Sequence, residues 1–325
     1  MQINQKFWQK IEPALAQLAD MIGPDFVVFG SAPLYLLEVL DFDGTSDFND
    51  LDIAVREGFV APAGAREVLF HNDPRQKLHK MHLGGIDIDI GSAWPGREEI
   101  YTHIFVSYYE IRGFKFASLP VVKEWKKMMV REYGREKDQS HLAKIAEFAR
   151  RKAESIVIRE AREEETEDIL RLKDEVWAAT YSGEEYGISR EEILGRSFED
   201  KERSERMHKT LSGKRDEVNI WIAEDGDELV GICSAEKHKE MNHLGALYVH
   251  PNYQQMGIGQ KLVEAAYGWL GRGNDIDLEV AVYNTKAIAF YERDGFVLSG
   301  PSDGCAYVKG KKIPLLRMIK KVKKD

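Results

Sequence analysis

A short glycine turn between a strand and an amphipathic helix constrains this chain more than any other feature. In the segment LYVHPNYQQMGIGQKLVEAAYGWL, strand residues Ala246 to Val249 lead into Gln254-x-x-Gly257-x-Gly259. A helix then opens with Leu262, Val263, Ala266 and Leu270 on one face. Glycines let a backbone come close to a ligand, and the first turn of a helix presents free N–H groups at its positive end. Such a turn suits a pyrophosphate. The dinucleotide-binding pattern of three spaced glycines does not apply, because no third glycine follows at the right spacing.

The chain has 325 residues, which suits two domains of about 150 residues better than one core. We expect them at 1–153 and 154–325, joined by a charged helical stretch from about Val121 to Lys152. Charged residues make up 31% and the net charge is −9, with neither half strongly basic. That argues against non-specific binding to a nucleic-acid backbone. The two cysteines, Cys233 and Cys305, make no disulfide framework and no metal-ligand spacing. The N-terminus lacks the basic start and apolar run of a signal peptide, and no apolar stretch is long enough to span a membrane. The expected location is cytoplasmic; oligomeric state has no signature.

The glycine turn does not stand alone. Downstream comes VYNTKAIAFYERDGFV, and upstream WIAEDGDELVGICSAEK reads as a hairpin turning at Asp225-Gly226. Together these segments resemble the GNAT family of acetyl-CoA-dependent N-acetyltransferases. The resemblance covers about 165 residues. It implies that Gln254, Gln255, Met256, Gly257, Ile258, Gly259 and Gln260 cradle the acetyl-CoA pyrophosphate, with strand backbone at Leu247 and Val249 facing the thioester end. It further implies that Asn284 hydrogen-bonds the pantetheine or orders water, and that Tyr291 protonates the departing thiolate. Read on its own, Tyr291 would suit an aromatic core position equally well. Many family members place a glutamate base just before the strand, where this chain reads Asn242-His243-Leu244-Gly245. Glu236, Glu240 and His243 are the candidate substitutes, with a water chain as the alternative. The acceptor pocket is expected near Trp177, Tyr181 and Tyr186.

The first half carries different chemistry. A helix with Phe7, Ile11, Leu15, Leu18 and Ile22 on one face stops at Gly23-Pro24, and the buried strand Phe26 to Phe29 ends at Gly30-Ser31. A short helix over Leu34 to Leu40 is expected next, then strands at Leu51 to Val55 and Ile86 to Ile90. Asp50 and Asp52 stand two apart and so face one side; Asp87 and Asp89 repeat the pattern. A calcium loop starting at Asp41 is excluded, since Ser46 occupies its glycine position and Asp52 its glutamate position. Gly-Ser, then Asp-x-Asp, then a third acidic strand residue resembles the polymerase-beta-like nucleotidyltransferases, especially the small prokaryotic branch. The Arg135-Glu136-Lys137-Asp138 and His141-Leu142 segment adds to it. This implies Mg²⁺ on Asp50, Asp52 and Asp89 or Asp87, with Gly30 and Ser31 at the phosphates of a nucleoside triphosphate.

The expectation is therefore an α/β chain: a small mixed-sheet nucleotidyltransferase-like domain followed by a GNAT fold. It would be bifunctional, acetylating an amine and transferring a nucleotidyl group, with an aminoglycoside-like or other small cationic molecule as the candidate substrate. The rival is a single-activity acetyltransferase whose N-terminal domain only binds a nucleotide, RNA or protein.

Overall fold

The computed structural model describes residues 3–44, 48, 50–71, 73–181, 190–194, 201–213, 216–308 and 311–322. Tyr186 lies outside them, and the Tyr181 side chain is likewise not described. The chain divides into two compact units, Met1–Arg151 and Lys152–Asp325.

The first unit opens with α1 (Gln5–Ile22), capped where Asn4 Oδ1 accepts the Phe7 N–H at 3.0 Å. The helix ends where Gly23 takes φ 80°. Phe7, Trp8, Ile11, Ala14, Leu15 and Leu18 are buried, and Ile22 is only partly so. The sheet is built from β1 (Phe26–Phe29), β2 (Asp50–Val55), β3 (Arg66–Phe70), β4 (Asp73–Leu83), β5 (Ile86–Gly91), β6 (Tyr108–Ile111) and β7 (Phe114–Ala117). Its order is β3-β4-β5-β2-β1-β7-β6. β2 runs parallel to β5 and β1 parallel to β7, while the other neighbours are antiparallel. All four residues of β1 are buried, as a central strand covered on both faces requires. The helices are α2 (Ala32–Leu36), α3 (Glu98–Val106), α4 (Leu119–Tyr133) and α5 (Glu136–Ser155). The helix expected over Leu34 to Leu40 starts and ends earlier. Pro33 presets its first turn, and Glu38 at φ 59° stops it.

The second unit holds β8 (Val157–Glu160), α6 (Thr166–Tyr181), α7 (Arg190–Leu194), α8 (Lys201–Ser212), β9 (Val218–Asp225), β10 (Glu228–Glu236) and β11 (Asn242–Val249). There follow α9 (Ile258–Leu270), β12 (Ile276–Ala281), α10 (Thr285–Arg293), β13 (Val297–Val308) and β14 (Lys311–Lys320). The strand order is β13-β14-β12-β11-β10-β9-β8, antiparallel except for β11 beside β12. Strand alternation puts helices on both faces. Ile220, Ile222 and Ile232 pack with Ile169, Leu172 and Val176 of α6, whereas neighbouring Gly231 meets Leu262 of α9. Among the described residues no helix is long and apolar enough to cross a membrane.

Candidate functional site

The parallel pair β11 and β12 begins together and then opens. Its register runs only through Asn242 with Ile276 and His243 with Asp277. Beyond His243, β11 stays paired to β10 on its other side, through Leu247, Tyr248 and Val249, with a register shift between Cys233 and Ala235. The His250 N–H bonds Val230 O across that pair at 2.8 Å. Backbone groups alternate sides along a strand, so those of Leu247 and Val249 point the other way, into the opening toward β12. A row of polar backbone without a strand partner is what an extended ligand arm can use.

The glycine turn sits at the mouth of this opening. Gln255 adopts φ 61° and Gly257 φ 81°, and Gly257 caps α9 in the left-handed conformation. A Cβ placed on Gly257 would meet nothing within 4 Å, so it would stand in the open space of the turn. Gly259 faces inward instead, where a Cβ would lie 3.7 Å from the Phe290 ring and 3.9 Å from Val249. Gln254 Nε2 donates to Val249 O at 3.0 Å, pinning the loop back onto the strand it follows. Glycine turn, open strand end and α10 thus converge, and the free N–H groups at the start of α9 suit an anion. Met256 and Ile258 are buried and anchor the turn from below.

Tyr291 is buried on α10, its ring edge-on to Phe290 and Phe296. Asn284 is the N-cap of α10, with Oδ1 accepting the Ala287 N–H at 3.1 Å. The carbonyl half of that side chain is thereby committed to the helix, and its amide nitrogen is the part left to meet a ligand. His243 and Glu236 face each other across β10 and β11 at the closed end of the pair. His243 Nδ1 lies 2.8 Å from Asp277 Oδ1, and Asp277 Oδ2 accepts from Arg317 Nε at 2.8 Å. Three residues lie between His243 and Leu247, and the register shift of the pair falls among them, with Leu244 facing Ala235 and Leu247 facing Cys233. His243 and Glu236 thus stand at the closed end of the pair and Leu247 at its open side. The exposed Glu240 lies beyond the start of the same strand.

On α6, Trp177, expected near the acceptor pocket, has neighbours that the sequence did not point to. Its Nε1 donates to Tyr248 Oη at 2.8 Å, and burial holds the Glu175 carboxyl above its usual range. His250 is pushed down to about 4 by burial, and its Nδ1 accepts the Asn252 N–H at 3.2 Å. The alternation of β11 is the signal that could have paired Tyr248 with the helix.

In the first unit, Asp50, Asp52 and Asp89 can each bring one carboxylate oxygen within 4.8 Å of the other two. Parallel register sets Asp50 beside Asp87 and Asp52 beside Asp89. Asp87 stays outside the trio. It is exposed, two residues before Asp89 on the strand, and pairs with His82 Nδ1 at 2.8 Å. Burial, and then the neighbouring Asp50 charge, push the Asp52 carboxyl up to about 7. Asp89 Oδ1 is buried without a hydrogen-bond partner, while its Oδ2 takes Lys80 Nζ at 2.6 Å. An orphaned buried oxygen beside two further carboxylates fits a divalent cation. Gly30 lets this happen: at φ 70°, its Cβ would fall 1.8 Å from Asp52 Oδ2. Ser31 Oγ is bound by Lys126 Nζ at 2.9 Å, and Lys126 pairs with the fully buried Asp138 at 2.8 Å.

Comparison with known proteins bears on the second unit. The acetyltransferase (GNAT) family model matches residues 177–296. A peptidyl-lysine N-acetyltransferase of Salmonella typhimurium is 35% identical over 104 residues, 32% of this chain and 66% of the relative. A protein of the same name from Escherichia coli is 30% identical over 31% of this chain and 64% of its own length. The matched segment thus spans just under two thirds of these relatives. An N-acetyltransferase of Thermoplasma acidophilum, solved in complex with coenzyme A, is 25% identical over 51% of this chain and 99% of its own, with a TM-score of 0.40. The C-terminal unit carries a GNAT acetyltransferase domain.

Proposed function

We propose that the C-terminal unit transfers an acetyl group from acetyl-CoA to a primary amine. The observation that carries this reading is the opening of β11 from β12 directly upstream of the Gly257 turn. The donor's pyrophosphate lies on the amides of Gln254 to Gln260, and its pantetheine arm runs in the opening. The Leu247 N–H polarises the thioester carbonyl, as a fixed donor aimed at developing negative charge does. The neutral amine attacks that carbonyl, the carbon–sulfur bond breaks, and the Tyr291 hydroxyl gives its proton to the leaving thiolate. Water ordered along the opening takes the amine proton, because Asp277 already engages His243 Nδ1 and Glu236 stands opposite His243 at the closed end of the pair. The aromatic Trp177 and Tyr248 with Glu175 suit an alkylammonium acceptor, such as a polyamine, an aminoglycoside or a lysine side chain. A panel of these amines, followed by release of free CoA thiol, tests the reading. Amine-dependent release is expected, and none with any amine would count against it.

The carboxylate trio favours a second reading for the N-terminal unit, Mg²⁺-dependent nucleotidyl transfer. Asp50, Asp52 and Asp89 would hold the ion, which supplies charge to bind and polarise phosphate oxygens. Gly30 keeps Asp52 close to the turn, and Lys126 fixes Ser31 there.

A further inference from the structure

One carboxylate fastens the elements that the acetyl-transfer reading requires to be in register. Asp294 follows α10 directly, three residues after Tyr291, and its side chain is 7% exposed. Its Oδ1 accepts from Gln260 Nε2 at 3.3 Å, in the first turn of α9. Its Oδ2 accepts from Tyr267 Oη, two turns further along the same helix, and from Lys320 Nζ at 2.9 Å, at the end of β14. Lys320 in turn lies over the Tyr267 ring, 4.2 Å from its centre. The backbone N–H of Asp294 closes α10 on Phe290 O at 3.1 Å, and Phe290 is the ring that faces Gly259. A nearly buried carboxylate with three donors from two other elements is held in one place, because moving any of them leaves charge unpaired.

We propose that Asp294 is a positioning residue for acetyl transfer: it sets the pyrophosphate turn at the start of α9 against Tyr291 on α10. The inference rests on the acetyl-CoA reading of this site and adds the group that fixes its two halves. Gln260 is its handle on the binding side, and the end of α10 its handle on the catalytic side. Loss of the carboxylate frees the first turn of α9 to shift against α10, so both donor binding and proton delivery suffer.

The test compares wild type with Asp294→Asn, Asp294→Glu and Tyr267→Phe. CoA affinity is read by calorimetry, kcat and KM for acetyl-CoA with the fastest amine of the panel, and melting temperature alongside. Asp294→Asn keeps shape and removes charge. We expect KM for acetyl-CoA and the CoA dissociation constant to rise about tenfold, and kcat to fall about tenfold. Asp294→Glu should recover part of both, and Tyr267→Phe should cost less than Asp294→Asn. A purely structural carboxylate would lower the melting temperature and leave kcat and KM within twofold of wild type well below it; that result overturns the proposal. Wild-type protein that fails to bind CoA would instead overturn the acetyl-CoA reading on which the proposal stands.

Discussion

In the proposed acetyl transfer Tyr291 gives the proton to the leaving thiolate, and its surroundings make the test clean. The ring packs edge-on against Phe290 and Phe296, so Tyr291→Phe keeps those contacts and deletes only the hydroxyl. Turnover should fall by roughly 10² to 10⁴ with CoA affinity nearly unchanged; a rate within a few-fold of wild type would reduce Tyr291 to a core residue. His250 sets a different expectation. Burial lowers its pKa to about 4, and its Nδ1 is already occupied as an acceptor, so the folded unit holds it neutral. Between the ordinary histidine value of about 6.5 and about 4, the unfolded chain binds the proton that the folded chain refuses. Stability contributed by His250 is therefore present above that window and lost as pH falls through it, at up to about 1.4 kcal/mol per pH unit. His141, lowered to about 4 chiefly by burial, adds in the same direction in the other unit. Urea unfolding should show a shallower acid-side loss for His250→Gln than for wild type. An unchanged slope would mean that His250 does not titrate with unfolding.

At the scale of elements, some of the architecture could be read from sequence and some could not. Runs whose burial follows their own periodicity were legible. These are α1 with Phe7, Ile11, Leu15 and Leu18 inward, β1 as an unbroken apolar run, and α9 with Leu262, Val263, Ala266 and Leu270 inward. The long hairpin of β3 and β4 was not. Its burial is irregular and its residues mostly polar, because it forms the sheet edge, where a buried face is not required. The opening of β11 from β12 leaves no mark in the pattern of either strand, since it is a property of their pairing. Carboxylate spacing fared better. Asp50 and Asp52 share a face because strands alternate, but it takes the structure to show Asp89 joining them with a buried oxygen beside Asp52 while exposed Asp87, beside Asp50, pairs with His82. The double substitution Asp50→Asn and Asp52→Asn should abolish Mg²⁺ or Mn²⁺ binding and any Mg²⁺-dependent pyrophosphate release from a nucleoside triphosphate. Acetylation should stay near wild type. Identical metal titrations of the variant and wild type would leave the N-terminal unit without a metal site.

At the scale of the molecule, the two units each have their own sheet and core, so each chemistry can be examined separately. Within the second unit the last turn of α5 belongs to the scaffold of the glycine turn. Lys152 pairs with Asp225, which also takes Tyr253 Oη at 2.9 Å, and Lys261 Nζ bonds Ala153 O. A fragment made to carry the site must therefore begin at Lys152, before the first strand of its sheet. The most direct measurement is calorimetric titration of CoA into residues 152–325 and into the same fragment with Gly257→Val. The wild-type fragment should bind one CoA per chain with the affinity of the full chain. Gly257→Val should weaken it at least tenfold, because a branched side chain at φ 81° both strains the turn and fills the space the phosphates need. Equal affinity in the two fragments would contradict the placement of the donor at this turn, and no binding in the wild-type fragment would contradict the claim that this unit holds the donor by itself.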